Sequence, residues 1–362
     1  MTNAMKGLLI GLLALFFCPG AFPQPPGPGY RILKVYKLGG TEGWDYLTLD
    51  PVGRRVYISR STHVVVVDAD SGKVIGDIPD TPGVHGIALA PELGRGFTSN
   101  GREGTVSIFE LESLKPISKV KVGENPDAIL YDPATRRVFT FNGKSQDATA
   151  IDAAKGEVVG TVPLGGKPEF GVSDEKGKLF VNIEDKSELV ALDAKRLKVD
   201  SRWPLAPCEE PTGLSIDRRN RRLFSGCHNK VMAIVDAESG KVLTTLPIGA
   251  GVDATAFDPE NGHAYASCWD GTLTVVKEDS PSSFRVEQVA ATMQGARTMA
   301  VDLKTHNAYL VRAQIGPPPD PHSVGEHTIR GPIVVPDSFV LLVVGAAPLP
   351  PNAAQGNKTP VN

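Results

Sequence analysis

The sequence predicts an all-β chain, a seven-bladed β-propeller of four-stranded antiparallel blades whose last blade is closed by the N-terminal strand. Three observations predict it. One phrase returns seven times along the chain, each return carries two hairpin signals, and the body shows no apolar spacing of 3.6 residues that would mark a helix.

In the phrase, a short apolar strand runs into an acidic turn, a basic residue follows, and the next strand carries an aromatic. It reads Asp50-Pro51-Val52-Gly53-Arg54-Arg55-Val56-Tyr57 and returns at residues 132–139, 217–224 and 258–265, with weaker copies between. The aromatic falls at Tyr57, Phe97, Phe139, Phe180, Phe224, Tyr265 and Tyr309, so 252 residues are crossed in six steps, a mean period of 42. That is the period of a propeller blade. A second hairpin follows in each copy: residues 64–68, the turn Asp70-Ser71-Gly72-Lys73 and residues 74–78, and again residues 232–246 around Glu238-Ser239-Gly240-Lys241. Two hairpins make four strands, and radial packing of such sheets hides most of their edges.

The innermost strand of each blade should carry small residues where blades crowd the axis, and Gly86, Ala88, Ala128, Gly213, Ser215, Ala254, Ala256 and Ala300 fall there. The last copy ends after residues 339–344 without an outer strand, whereas residues 31–38 are a spare strand ahead of the first copy. The spare strand is therefore expected to complete the last blade.

The ends read differently from the body. Residues 1–21, with Lys6, an apolar run at 8–17 and Cys18-Pro19-Gly20-Ala21, have the pattern of a secretory signal peptide. Residues 22–30 read as a Pro-rich linker, 31–345 as the propeller and 346–362 as a disordered tail, giving an expected periplasmic or secreted location. No run approaches the ~20 apolar residues of a membrane helix, so no membrane span is expected after signal cleavage. Of 362 residues, Lys+Arg 38 against Asp+Glu 41 leaves a net charge of -3, which argues against a general grip on duplex nucleic acid through clustered cations. In an oxidising compartment Cys208, Cys227 and Cys268 suggest one disulfide and one free thiol. Register counting places Cys208 near Cys227; Cys227 with Cys268 is the alternative. No Cys-x-x-Cys occurs, which disfavours a zinc ribbon, a thioredoxin-type pair and covalent haem.

The D-P-x-x-R-x-aromatic and D-x-x-S-G-K phrases resemble the YVTN-type repeats of secreted bacterial β-propellers, the YncE-like family, over residues 31–345. The strand signature is approximated by Tyr57-Ile58-Ser59, Phe97-Thr98-Ser99-Asn100 and Phe139-Thr140-Phe141-Asn142. The resemblance implies an exported seven-bladed propeller. It leaves activity open, because such propellers include binding modules, lactone hydrolases and tetrapyrrole-handling proteins.

Repeats also allow a positional reading of the site. Five residues before the turn residue of each copy stand Asp45, His85, Asp127, Glu169, Thr212, Asp253 and Arg297. Equivalent positions on innermost strands should ring one mouth of the channel. Two like charges ~8 Å apart repel by roughly 2 kcal/mol at an effective dielectric of 20, so a collar of four carboxylates needs an offset. Arg297, raised carboxylate pKa values or a bound divalent cation would each supply one, with Asp45, Asp127, Glu169 and Asp253 the candidate ligands. A wet, solvated mouth is the plainer alternative. Strand ends bearing Arg60, Asn100, Asn142, Cys227, Cys268 and Arg312, with His228 and Trp269 adjacent, should share that face. So should the insertion at residues 314–336, which reads as a lid.

The function expected is binding or scaffolding: a small ligand or a partner segment held at the ring face by Asp45, His85, Asp127, Glu169, Asp253 and Arg297. The first rival is a metal-dependent hydrolase of lactone type with His85 as base. The second is a tetrapyrrole or quinone binder using His85, His322 or His327. Arg218, Arg219, Arg221 and Arg222 are expected to form a solvated basic cluster on the opposite face.

Overall fold

The computed structural model describes residues 29–316 and 334–347. They form seven sheets of four antiparallel strands, with two helical turns of three residues, Pro91–Leu93 and Glu184–Lys186, as the sole helix among the described residues. Six sheets take four consecutive strands each. The seventh joins Met299–Asp302, Asn307–Arg312 and Val340–Ala347 to Gly29–Lys37, so the N-terminal strand closes the ring as the sequence predicts.

The repeated aromatics explain why the sheets pack. Tyr57, Phe97, Phe139, Phe180, Phe224, Tyr265 and Tyr309 are at most 3% exposed and lie in the apolar seams between blades. The basic residue two positions earlier has a separate task. Arg55 donates to the carbonyl of Leu111, Arg95 to that of Ala153 at 3.1 Å, Arg137 to that of Ala194 at 2.6 Å and Arg222 to that of Pro281 at 2.8 Å. In each case the acceptor lies in the outer hairpin of the next blade, so one guanidinium satisfies orphan carbonyls and ties neighbouring sheets. The repeat's acidic residue closes its own turn: Asp50 accepts from the backbone of Val52 and Gly53, and Asp217 from that of Arg219. In the second hairpin, Gly72 and Gly240 adopt positive φ, and a side chain there would strike the Tyr36 and Trp203 rings lying over them.

Several expectations need correction. The propeller reaches two residues beyond 31–345 at either end, because Gly29 pairs with Ala347 and the Tyr30 hydroxyl lies 2.9 Å from both His263 Nδ1 and the Tyr265 hydroxyl. Residues 29 and 30 therefore belong to the strand, not the linker, and 346 and 347 do not belong to the tail. The basic cluster is not simply solvated. Arg221 reaches Asp174 at 3.0 Å and Glu238 at 2.6 Å, Arg222 reaches Asp236 at 2.7 Å, and Arg218 reaches Glu175 at 3.0 Å. Cys208 and Cys227 form the disulfide, with Cα atoms 5.6 Å apart, and Cys268 is free and buried. The expected signal peptide at 1–21, most of the linker, the tail from 348 and residues 317–333 of the expected lid, with His322 and His327, lie outside the described residues. Among the described residues no helix is long and apolar enough to cross a membrane.

One buried acid gives this frame a pH dependence. Glu278 is 8% exposed between the fifth and sixth blades, where Asn220 donates to it at 3.0 Å. Burial, and then the charge of the neighbouring Asp217, pushes its carboxyl up to about 7. An acid that binds its proton more tightly in the folded chain adds stability that is complete below its unfolded pKa and is lost as pH rises through its folded pKa. Unfolding midpoints measured from pH 4 to pH 8 should therefore fall less for Glu278→Gln than for the parent. Identical slopes would show that Glu278 is not protonated in the fold.

Candidate functional site

Innermost strands Val84–Ala90, Pro126–Asp132, Pro168–Ser173, Pro211–Asp217 and Val252–Asp258 each break register with the second strand at the collar residue or immediately after it. A bulge of this kind re-aims a side chain away from the ladder. Three of the five strands begin with proline, Pro126, Pro168 and Pro211, which has no N–H to offer and suits a strand's first position. In the first and seventh blades the inner strand starts only at Leu47 and Met299, so Asp45 and Arg297 precede their strands instead of opening them.

Side chains from the second strands hold these bulged backbones. Ser99 donates to the carbonyl of Asp127 and Ser267 to that of Arg297, while Asn182 donates to that of Thr212 at 2.9 Å. Each bond crosses from one blade to the next. Thr298 closes the circle by donating to the carbonyl of Asp45 at 2.8 Å.

The ring positions meet as the repeat register requires. His85 donates from Nδ1 to Asp45 at 2.6 Å and stands 3.6 Å from Asp127. Arg297 lies 3.0 Å from Asp253 and 3.9 Å from Asp45. Glu169 is 3.1 Å from Lys167, which also contacts Glu184. Thr212 differs from the rest: it is buried and donates to the Val252 carbonyl at 2.9 Å, a structural bond. The other strand ends are largely committed. Asn100 and Asn142 are spent on buried hydrogen bonds, Cys227 on the disulfide, and the buried Arg60 guanidinium stacks 3.8 Å over Phe339 and reaches Glu42 at 3.0 Å. Trp269 remains on the rim, 36% exposed, with Arg297 5.8 Å from its ring centre.

Electrostatics set the site apart from the rest of the fold. Burial, then repulsion from neighbouring carboxylates, pushes Asp127 and Asp253 up to about 7 and Glu169 to about 8, against the pull of His85, Arg297 and Lys167. Burial opposes charge on His85, yet the bond to Asp45 and the fields of Asp127 and Glu169 outweigh it and push the imidazole up to about 9. That direction favours the charged imidazole, an acid, over the free base. Glu169 Oε2 and Arg297 Nε are buried and lack an aligned hydrogen-bond partner, although each has an opposite charge nearby.

Beneath the collar lies a cavity of about 60 Å³ lined by the residues that follow collar positions, among them Tyr46, Gly86, Ala128, Phe170 and Ala254. Gly86 is tightly packed there: a Cβ on it would sit 2.9 Å from the Ile129 side chain and 3.3 Å from the Ile129 backbone nitrogen. Tyr46 and Phe170, with ring centres 5.3 Å apart, floor the mouth. Four functional side chains escaped sequence reasoning: Lys167, Glu184, Tyr46 and Phe170. Lys167 had a signal, because it stands two positions before Glu169 and alternation puts both on one side of an extended chain.

For metal binding, only Asp45, His85 and Asp127 offer donor atoms within 4.8 Å of one another among the described residues. Glu169 and Asp253 do not join that group, so the four-carboxylate ligand set expected from sequence is not assembled.

No family model matches the chain, and no curated protein matches it. Solved structures do. A chain of Kuenenia stuttgartiensis hydrazine synthase aligns with a TM-score of 0.66 at 16% identity, covering 75% of this chain and 92% of that one. The WD40 repeats of RRP9 align with a TM-score of 0.71 at 10% identity, covering 89% and 100%, and U3-55K with 0.69 at 10%, covering 87% and 99%. At such identities the likeness is one of fold. The chain is a seven-bladed β-propeller.

Proposed function

We propose that this protein is an exported β-propeller of the YncE-like kind that binds a small ligand or a partner segment at the ring face. The observation that carries the reading is the collar itself. Asp45, His85, Asp127, Glu169, Asp253 and Arg297 come from six blades, are partly shielded from water, and include three carboxyls raised by burial and mutual repulsion. Most other charges of the repeats serve capping and cross-links, so the concentration of raised carboxyls at one mouth supports a ligand there. Export is supported by the signal-like residues 1–21 and by the Cys208–Cys227 disulfide, which favours an oxidising compartment.

A thermal-shift screen of small polar molecules against the full chain tests the binding reading. Stabilising compounds should lose their effect on Asp127→Asn with Asp253→Asn, a pair that keeps side-chain volume. Compounds that stabilise the parent and this variant equally would move the site elsewhere.

One observation favours a second reading, a metal-assisted hydrolase: the Asp45, His85 and Asp127 donor atoms. Elemental analysis of protein purified without chelator decides it. A stoichiometric divalent ion whose removal lowers the unfolding midpoint supports that reading; its absence together with an unchanged midpoint in chelator removes it.

A further inference from the structure

We infer that the ligand of the collar is a small organic cation, whose primary ammonium group stands over the Tyr46 hydroxyl and hydrogen bonds to Glu169 and the carboxylates beside it. This rests on the collar being the binding site proposed above.

Charge is the first ground. Five carboxylates, Asp45, Asp127, Glu169, Glu184 and Asp253, face three cations, His85, Lys167 and Arg297, across the contacts already described. The carboxyls outnumber the cations by two, and a bound cation would hold the raised Asp127, Glu169 and Asp253 in their ionised form.

Unpaired atoms are the second ground, and they are independent of the charge count. Tyr46 is only 6% exposed, and its hydroxyl has no hydrogen-bond partner among the described residues. It feels Asp253, Glu169, Asp127 and Asp45 together, which places it beneath the middle of the collar. Glu169 reaches the same space, its Oε2 held 3.1 Å from Lys167 Nζ without an aligned hydrogen bond. An ammonium group has three donors and no acceptor, which suits a phenolic oxygen and carboxylate oxygens that lack donors. Its charge also gains from the faces of Tyr46 and Phe170.

Size and spacing narrow the class. The cavity of about 60 Å³ beneath the collar is narrow and lined by Tyr46, Phe170 and small residues, which suits a compact head group that carries its own N–H donors. Calcium wants about six to eight oxygens at ~2.3 to 2.6 Å. Among the described residues the one tight donor group is Asp45, His85 and Asp127; His85 Nδ1 is already bonded to Asp45, and Glu169 lies outside the group. The exposed face of Trp269 on the rim offers an apolar wall for the carbon chain that would carry the ammonium.

Calorimetric titration of the full chain at fixed ionic strength tests this, with butylamine, butane-1,4-diamine, tetramethylammonium chloride, calcium chloride and sodium butyrate as probes. The two primary amines should bind one to one, with tetramethylammonium at least about tenfold weaker. Glu169→Gln and Tyr46→Phe should each weaken the amines by about tenfold or more, the loss of a charge-assisted hydrogen bond. Should Tyr46→Phe not fold, Glu169→Gln alone decides. Calcium binding with silent amines, butyrate binding in place of amines, or a screening hit that needs the collar and is not displaced by butylamine would each overturn the ammonium class and leave the collar as the site. Silence of all five probes, with screening hits indifferent to collar substitution, would overturn both.

Discussion

Replacing Phe139 by alanine is expected to lower the stability of the protein by about 3 to 5 kcal/mol, the range for removing a buried aromatic from a core that cannot collapse onto the void. The ring is fully buried and packs between the third and fourth blades with Phe141, Leu179 and Val181. Because it is one of seven equivalent aromatics, the loss opens a seam between blades and not merely a hole within one sheet. Val52→Ala is the matched control: Val52 is 88% exposed in a turn and should change stability by no more than about 0.5 kcal/mol. Chemical denaturation of the two variants measures both. Comparable small effects would mean that the repeated aromatic does not hold neighbouring blades together.

Breaking the Cys208–Cys227 bridge is expected to cost about 3 kcal/mol, because it closes a loop of 19 residues and so restricts the unfolded chain. Cys208→Ala with Cys227→Ala should show this in denaturant, and reduction of the parent should reproduce most of it. Cys268 should take no part. It is buried, and burial, then the charge of Asp270, pushes its thiol up to about 12, so a thiol reagent should leave Cys268 unlabelled in the native protein and reach it only after unfolding. Rapid native labelling, or a double variant as stable as the parent, would contradict this arrangement.

The two halves of the structure were legible to different depths. Blade number, strand count and closure could be read because an aromatic that seals a seam must return once per blade, as Tyr57 to Tyr309 do, and because the last copy lacked an outer strand. The same register brought Asp45, His85, Asp127, Glu169, Asp253 and Arg297 to one mouth. Side-chain partnerships were not legible. Nothing local in the sequence says that Arg221 will reach Asp174 in the preceding blade, or that Ser99 will hold the backbone of Asp127. The bulges at the collar arise from crowding of inner strands near the axis, a tertiary cause, although Pro126, Pro168 and Pro211 mark where three of them begin. Tyr46 and Phe170 read as ordinary strand residues until the ring is closed above them.

That ring closure has a sharp spectroscopic signature. The His85 imidazole, identified in NMR spectra by its loss in His85→Gln, should titrate at about 9, far above the ordinary value of about 6.5, and should fall toward that value in Asp45→Asn. An imidazole that titrates near 6.5 in the parent and ignores both Asp45→Asn and Asp127→Asn would contradict a shared collar, because residues 40 or more positions apart would then not meet around one axis.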